Sequence, residues 1–238
     1  DPADLNRAID LSGQAIAETP SSSPFLNIRQ HNHGTHLAIR YDRQGAPADL
    51  DNAIDLARAS IEGTPEDSPD QPSRRGNLAL RYAARYAGRG RLEDLEAAIR
   101  EGERALEITP VGALERPIRL ANLASALAHR WQREHRAGLH GPFNPQTRPE
   151  RPLFNSSSDG SQAPTHPGTP TAPNTGSASY RERGETDLDR AIACTQEALA
   201  RTEAGSPERA SNLAALARFQ QWRFEFAGAT EDRRAAQD

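Results

Sequence analysis

At 238 residues, with 29 basic against 33 acidic side chains and a net charge of −4, the chain is long enough to bury a core and carries no basic excess. That balance offers no stripe for a nucleic-acid backbone, and no apolar run reaches the roughly 18 residues of a membrane-spanning helix. Apolar residues make up only 35%, which is thin for one compact globule and suits an elongated stack of helices, each burying one face against its neighbours.

Two kinds of segment alternate along the chain. The first opens with Asp-Leu-x-x-Ala-Ile and runs from Asp4 to Pro20, then again from Asp49 to Pro65, Asp94 to Pro110 and Asp187 to Thr202. In the third copy Leu95, Ala98, Ile99, Ala105 and Leu106 form one helical stripe. Thr-Pro ends three of these segments, because proline cannot continue the helical hydrogen-bond ladder and pushes its predecessor out of the helical region. The Asp residues at the starts oppose the positive end of the helix dipole, which reads as capping.

The second kind carries a recurring asparagine: Asn32-His33-Gly34, Asn77-Leu78-Ala79 and Asn122-Leu123-Ala124 line up at a shift of 45 residues, and Asn212-Leu213-Ala214 repeats the phrase. Leu78, Tyr82 and Tyr86 share a helix face, as do Leu123, Leu127 and Trp131. Pro72, Pro117 and Pro207 stand near the starts, where a missing N–H costs little. Gly45, Gly90, Gly184 and Gly228 mark the exits, so a further helix is expected to begin at Glu231.

Between residues 141 and 179 the chain is crowded with Pro, Ser, Thr and Gly and nearly empty of aliphatics, a composition that cannot offset its ordering entropy. The expected organisation is therefore helical repeats over 1–135, a disordered insert over 136–179, and repeats again over 180–238, cut within a unit of a longer parent.

On these residues the chain resembles the tetratricopeptide-repeat family, in the longer-repeat form found beside CHAT-type peptidase or nucleotide-binding domains. Leu78-Ala79 and Tyr82 match the first helix of the family pattern, and Ala98, Ala105 and Pro110 the second. Seven residues more between Leu78 and Ala98 and four more after Pro110 separate the 45-residue period from the family's 34. The resemblance implies an all-α, right-handed superhelical solenoid of antiparallel helix pairs. It also implies a peptide- or protein-binding concave face, on which Asn32, Asn77, Asn122 and Asn212 would hydrogen-bond a partner backbone, with Arg81 and Ser125 beside them. An amide supplies one donor set and one acceptor, which matches any peptide group. The same side chains would equally serve by satisfying the turns between repeats or by facing water. A second function follows from the resemblance: a sensing arm that packs on an effector domain outside this chain.

Little else suggests chemistry. His33 and His36 share a helix face while His31 points elsewhere, too few ligands for a metal site. Cys194 falls where Leu11 and Leu56 stand in other repeats, the place of a small core residue. Every basic residue is arginine, which excludes a phosphate loop ending in Gly-Lys, and Arg40, Arg85 and Arg130 read as solvated or ion-paired. The expectation is a non-enzymatic scaffold with no cofactor, no metal and no nucleic-acid or membrane partner. A single cysteine and no signal-peptide pattern place it in the cytoplasm.

Overall fold

A computed structural model describes residues 1–139 and 186–235, and among these it is entirely helical. The order is α1 (Pro2–Ala17), α2 (Leu26–Gln44), α3 (Pro47–Glu62), α4 (Gln71–Arg89), α5 (Leu92–Glu107), α6 (Arg116–Leu139), α7 (Asp187–Ala200) and α8 (Pro207–Ala235). Asp1–Thr109 form one compact unit and the described residues from Pro110 onward a second. Most of the insert expected over 136–179, and the exit turn at Gly184, lie outside the described residues; α6 itself runs four residues past 135.

In the first unit each helix packs on the next in sequence. The stripe Leu50, Ile54, Ala57 and Ile61 of α3 closes on Leu78 of α4, with Tyr41 and Tyr82 at its margin, while Ile9, Leu37 and Ala53 form the core where α1, α2 and α3 meet. Residues of these clusters are at most 8% exposed, so truncating one of the leucines removes about 2–5 kcal/mol. The predicted exits hold at Gly45 and Gly90, whose φ of 74° and 67° is the left-handed conformation that favours glycine. Their N–H groups bond the carbonyls of Tyr41 and Tyr86 at 2.7 Å, which closes α2 and α4.

Two recurring sets of arginines on the second-type helices tie the frame together: one set is read from the sequence as solvated or ion-paired, and the other has no role assigned there. Arg40 holds both oxygens of Asp49 at 2.7 Å, Arg85 holds Asp94 at 2.6 and 3.0 Å, and Arg130 holds Asp187 at 2.6 and 2.7 Å. All four Asp residues sit in the first turns as expected, but Asp49, Asp94 and Asp187 are clamp partners and not caps, while Asp4 stays exposed beside the N-terminal amine: the cap positions of α3 and α5 are Ala46 and Arg91, which make no side-chain bond, and α7 is capped by Thr186 in a box with Asp189. Arg40 beside Asp49 holds that carboxyl below its ordinary range.

The other set stands eleven residues earlier on the same helices, at Arg29 and Arg74, three turns away on one face. It binds the end of the preceding helix. Arg74 donates to Ser60 Oγ and Thr64 Oγ1, both at 2.6 Å, and Arg29 reaches Thr19 Oγ1 and the Ala15 carbonyl. Thr64 in turn donates to the Ser60 carbonyl at 2.6 Å, as Thr19, Thr109 and Thr202 do to Ala15, Ala105 and Ala198. The threonine of each Thr-Pro stop thus satisfies a terminal carbonyl, and Thr19 and Thr64 also receive an arginine, beyond the stop that proline imposes.

In the second unit α6 packs on α7 and α7 on α8. Its core holds Leu120, Leu127, Leu188, Ile192 and Cys194, so the cysteine is buried as the repeat position implies. Trp131 stacks on His135 at 4.6 Å and on Trp222 at 6.2 Å, and meets the edge of Phe226 at 5.6 Å. Gly228 makes no exit: α8 continues through it to Ala235, where the sequence had suggested a turn and a new helix from Glu231.

Candidate functional site

In the first unit the asparagines lie at equivalent places on α2 and α4, with Asn32 exposed and Asn77 half-buried. Neither amide hydrogen-bonds any described residue. Their neighbours are accounted for. Arg81 is 5% exposed and lies beneath this surface, donating to Thr35 Oγ1 at 3.2 Å and to the Ala53 carbonyl at 3.4 Å. Thr35 donates to the His31 carbonyl at 2.9 Å. Arg81 therefore joins α2, α3 and α4 from within, and burial lowers its pKa to about 10, which leaves it cationic at neutral pH.

His31 turns toward α4. Burial, and then the positive charges of Arg81 and Arg74, lower its pKa to about 4 against the opposing pull of Asp70, so the ring is neutral at pH 7. The other two histidines of α2 turn toward α1. Nδ1 of His33 and of His36 lie 2.8 and 3.3 Å from Ser12 Oγ, which confirms their shared face.

In the second unit Asn122 and Ser125 are half-buried on α6, three residues apart, and neither bonds a described residue. Asn212 does not join this set. It is 7% exposed, while Leu213 is 50% exposed. Arg209 fixes the register: it donates to the carbonyls of Leu199 and Thr202, ten and seven residues back, as Gln71 does to Ile61 and Thr64. Counting from these bonds, Asn212 stands where Arg74 stands in α4, and the counterpart of Asn77 is Ala215. The Asn-Leu-Ala phrase in α8 is out of step with its look-alikes by three residues.

No nucleophile, base and orienting group converge at these positions. Among the described residues no helix is long and apolar enough to cross a membrane. No family model, curated protein or solved structure matches the chain.

Proposed function

We propose that the chain is a non-enzymatic interaction module whose second-type helices receive extended peptide segments, on Asn32 and Asn77 in the first unit and, as a surface of its own, on Asn122 with Ser125 in the second. Within each unit the helix pairs stack in the right-handed manner of tetratricopeptide-like repeats, and the protein works in the cytoplasm. One observation carries the reading: the recurring arginines and threonines are consumed in holding helix to helix, whereas the recurring asparagines at 32, 77 and 122 make no hydrogen bond to any described residue. A helix interior disfavours asparagine, so three copies without a partner in the fold point outward. Each amide can donate and accept, as a peptide group requires.

The test is a peptide-library screen on the full chain and on the Asn32→Ala/Asn77→Ala/Asn122→Ala variant, with circular dichroism on both. The reading predicts unchanged helicity and lost binding. Peptide binding that survives all three substitutions would refute it.

A further inference from the structure

The repeat supplies its own control for a groove in the first unit. Between α1 and α3, with α2 as its floor, lies a groove of about 480 Å³ whose walls include Gly13, His33, Leu37, Asn52, Asp55 and Ala59. Forty-five residues on, the counterparts of Gly13, Leu37, Asp55 and Ala59 are Arg58, Tyr82, Arg100 and Arg104. The fold thus accepts bulk and positive charge at these places, and the first repeat has small residues and a carboxylate instead. His33 likewise replaces Leu78 and Leu123, residues that are at most 6% exposed.

The guanidinium of Arg40 on this wall is engaged by Asp49 and Asn6, and Asn52 can donate or accept, whereas the remaining polar groups accept hydrogen bonds. Ser12 Oγ donates its one proton to the Ile9 carbonyl at 3.0 Å. With that proton on Ile9, the contact from His33 Nδ1 to the same oxygen, at 2.8 Å, is a donation by the ring, the tautomer in which Nε2 offers a lone pair. That edge of the ring faces Gly13: a Cβ there would stand 3.5 Å from Cε1 and 3.8 Å from Nε2. Asp55 has no ion pair or hydrogen bond among the described residues, while the nearby Asp49 is already neutralised by Arg40. Leu37 and Leu56 supply apolar surface beside these acceptors.

We propose that this groove binds a small organic cation, an alkylammonium or alkylguanidinium whose N–H groups pair with Asp55 and with Nε2 of His33 while its stem lies on Leu37 and Leu56. The volume falls within the range of about 300–1,000 Å³ usual for small-molecule sites. The excess of acceptors selects a donor, and the uncompensated carboxylate selects a positive one. The site is separate from the asparagine surface and does not depend on peptide binding there.

The experiment titrates the full chain with agmatine, and in parallel with a blocked Gly-Arg-Gly peptide, at pH 7.5 and low salt, following the side-chain ¹⁵N resonances of His33. Saturable movement of Nε2 with agmatine is expected, weakened about tenfold by Asp55→Asn and abolished by Gly13→Arg, which installs the residue the second repeat carries. Asp55 is exposed, so its variant isolates the charge without disturbing the fold. No movement up to tens of millimolar agmatine, or equal affinity in Asp55→Asn, would overturn the proposal. Tighter binding of the peptide than of agmatine would overturn it too, by assigning the groove to an arginine of a protein partner.

Discussion

Lowering the pH from 7 to 5 is expected to destabilise the first unit through His31. The folded pKa of this group is about 4 against an ordinary 6.5, a depression of about 2.5. At 1.36 kcal/mol per unit that amounts to about 3 kcal/mol in full. The ring keeps some access to water, which screens the charge, so the effect between pH 7 and pH 5 is on the order of 1–2 kcal/mol. The sign follows from proton counts. Above pH 6.5 the ring is neutral in both states and contributes nothing. Below 6.5 the unfolded chain takes up a proton that the folded chain refuses, so stability falls as pH drops toward 4. Burial first, then Arg81 and Arg74 of α4, enforce the refusal and Asp70 opposes it. Urea denaturation at each pH gives the slope, and the Cε1–H resonance of His31 gives the pKa directly. His31→Ala, the residue found at position 121, should reduce the slope while leaving a remainder from His33, whose pKa burial also lowers. A His31 resonance titrating near 6.5, or an unchanged slope in the variant, would refute the reasoning.

Arg74→Met keeps the apolar stem but takes the guanidinium donor from the Ser60 and Thr64 hydroxyls, while the Ser60 carbonyl keeps Thr64, and should cost about 2 kcal/mol in urea denaturation. Arg85→Met strands Asp94, 4% exposed, and should cost about 3 kcal/mol, more than the cognate Asp94→Asn. Gly13→Ala should raise stability by about 0.5–1 kcal/mol, because the position is mid-helix and its Cβ would make ordinary contact with His33 at 3.5 Å. A loss in that variant would mean that the ring sits closer to α1 than described.

Local patterns were legible in the sequence where one element determines them. The helical stripes of α3 and α5 and the glycine exits at Gly45 and Gly90 follow from spacing and from the conformational freedom of glycine. What was not legible depended on contacts between elements. Arg29 and Arg74 recur as visibly as the asparagines, but a recurring arginine does not say which carbonyl or hydroxyl it meets. Asp49, Asp94 and Asp187 resembled caps because their place in the first turn suits the dipole, and only the neighbouring helix shows their carboxylates occupied. Asn212 misled for the opposite reason. Its three-residue phrase matched, whereas register is set by the distance from Thr202 to the residue that closes α7, and Arg209 is that residue. Arg81 carried no sign in sequence of lying beneath the surface that Asn77 occupies.

The most direct test of the central claim compares two variants of the full chain for stability and for binding of one peptide selected from the library. Asn32→Ala/Asn77→Ala/Asn122→Ala should fold within about 0.5 kcal/mol of the parent, since none of the three amides bonds the described fold, and should lose the peptide. Arg74→Met should lose about 2 kcal/mol of stability yet bind that peptide unchanged wherever it remains folded. An asparagine variant that unfolds, or that binds as the parent does, would contradict the division between a framework of arginines and a recognition surface of asparagines.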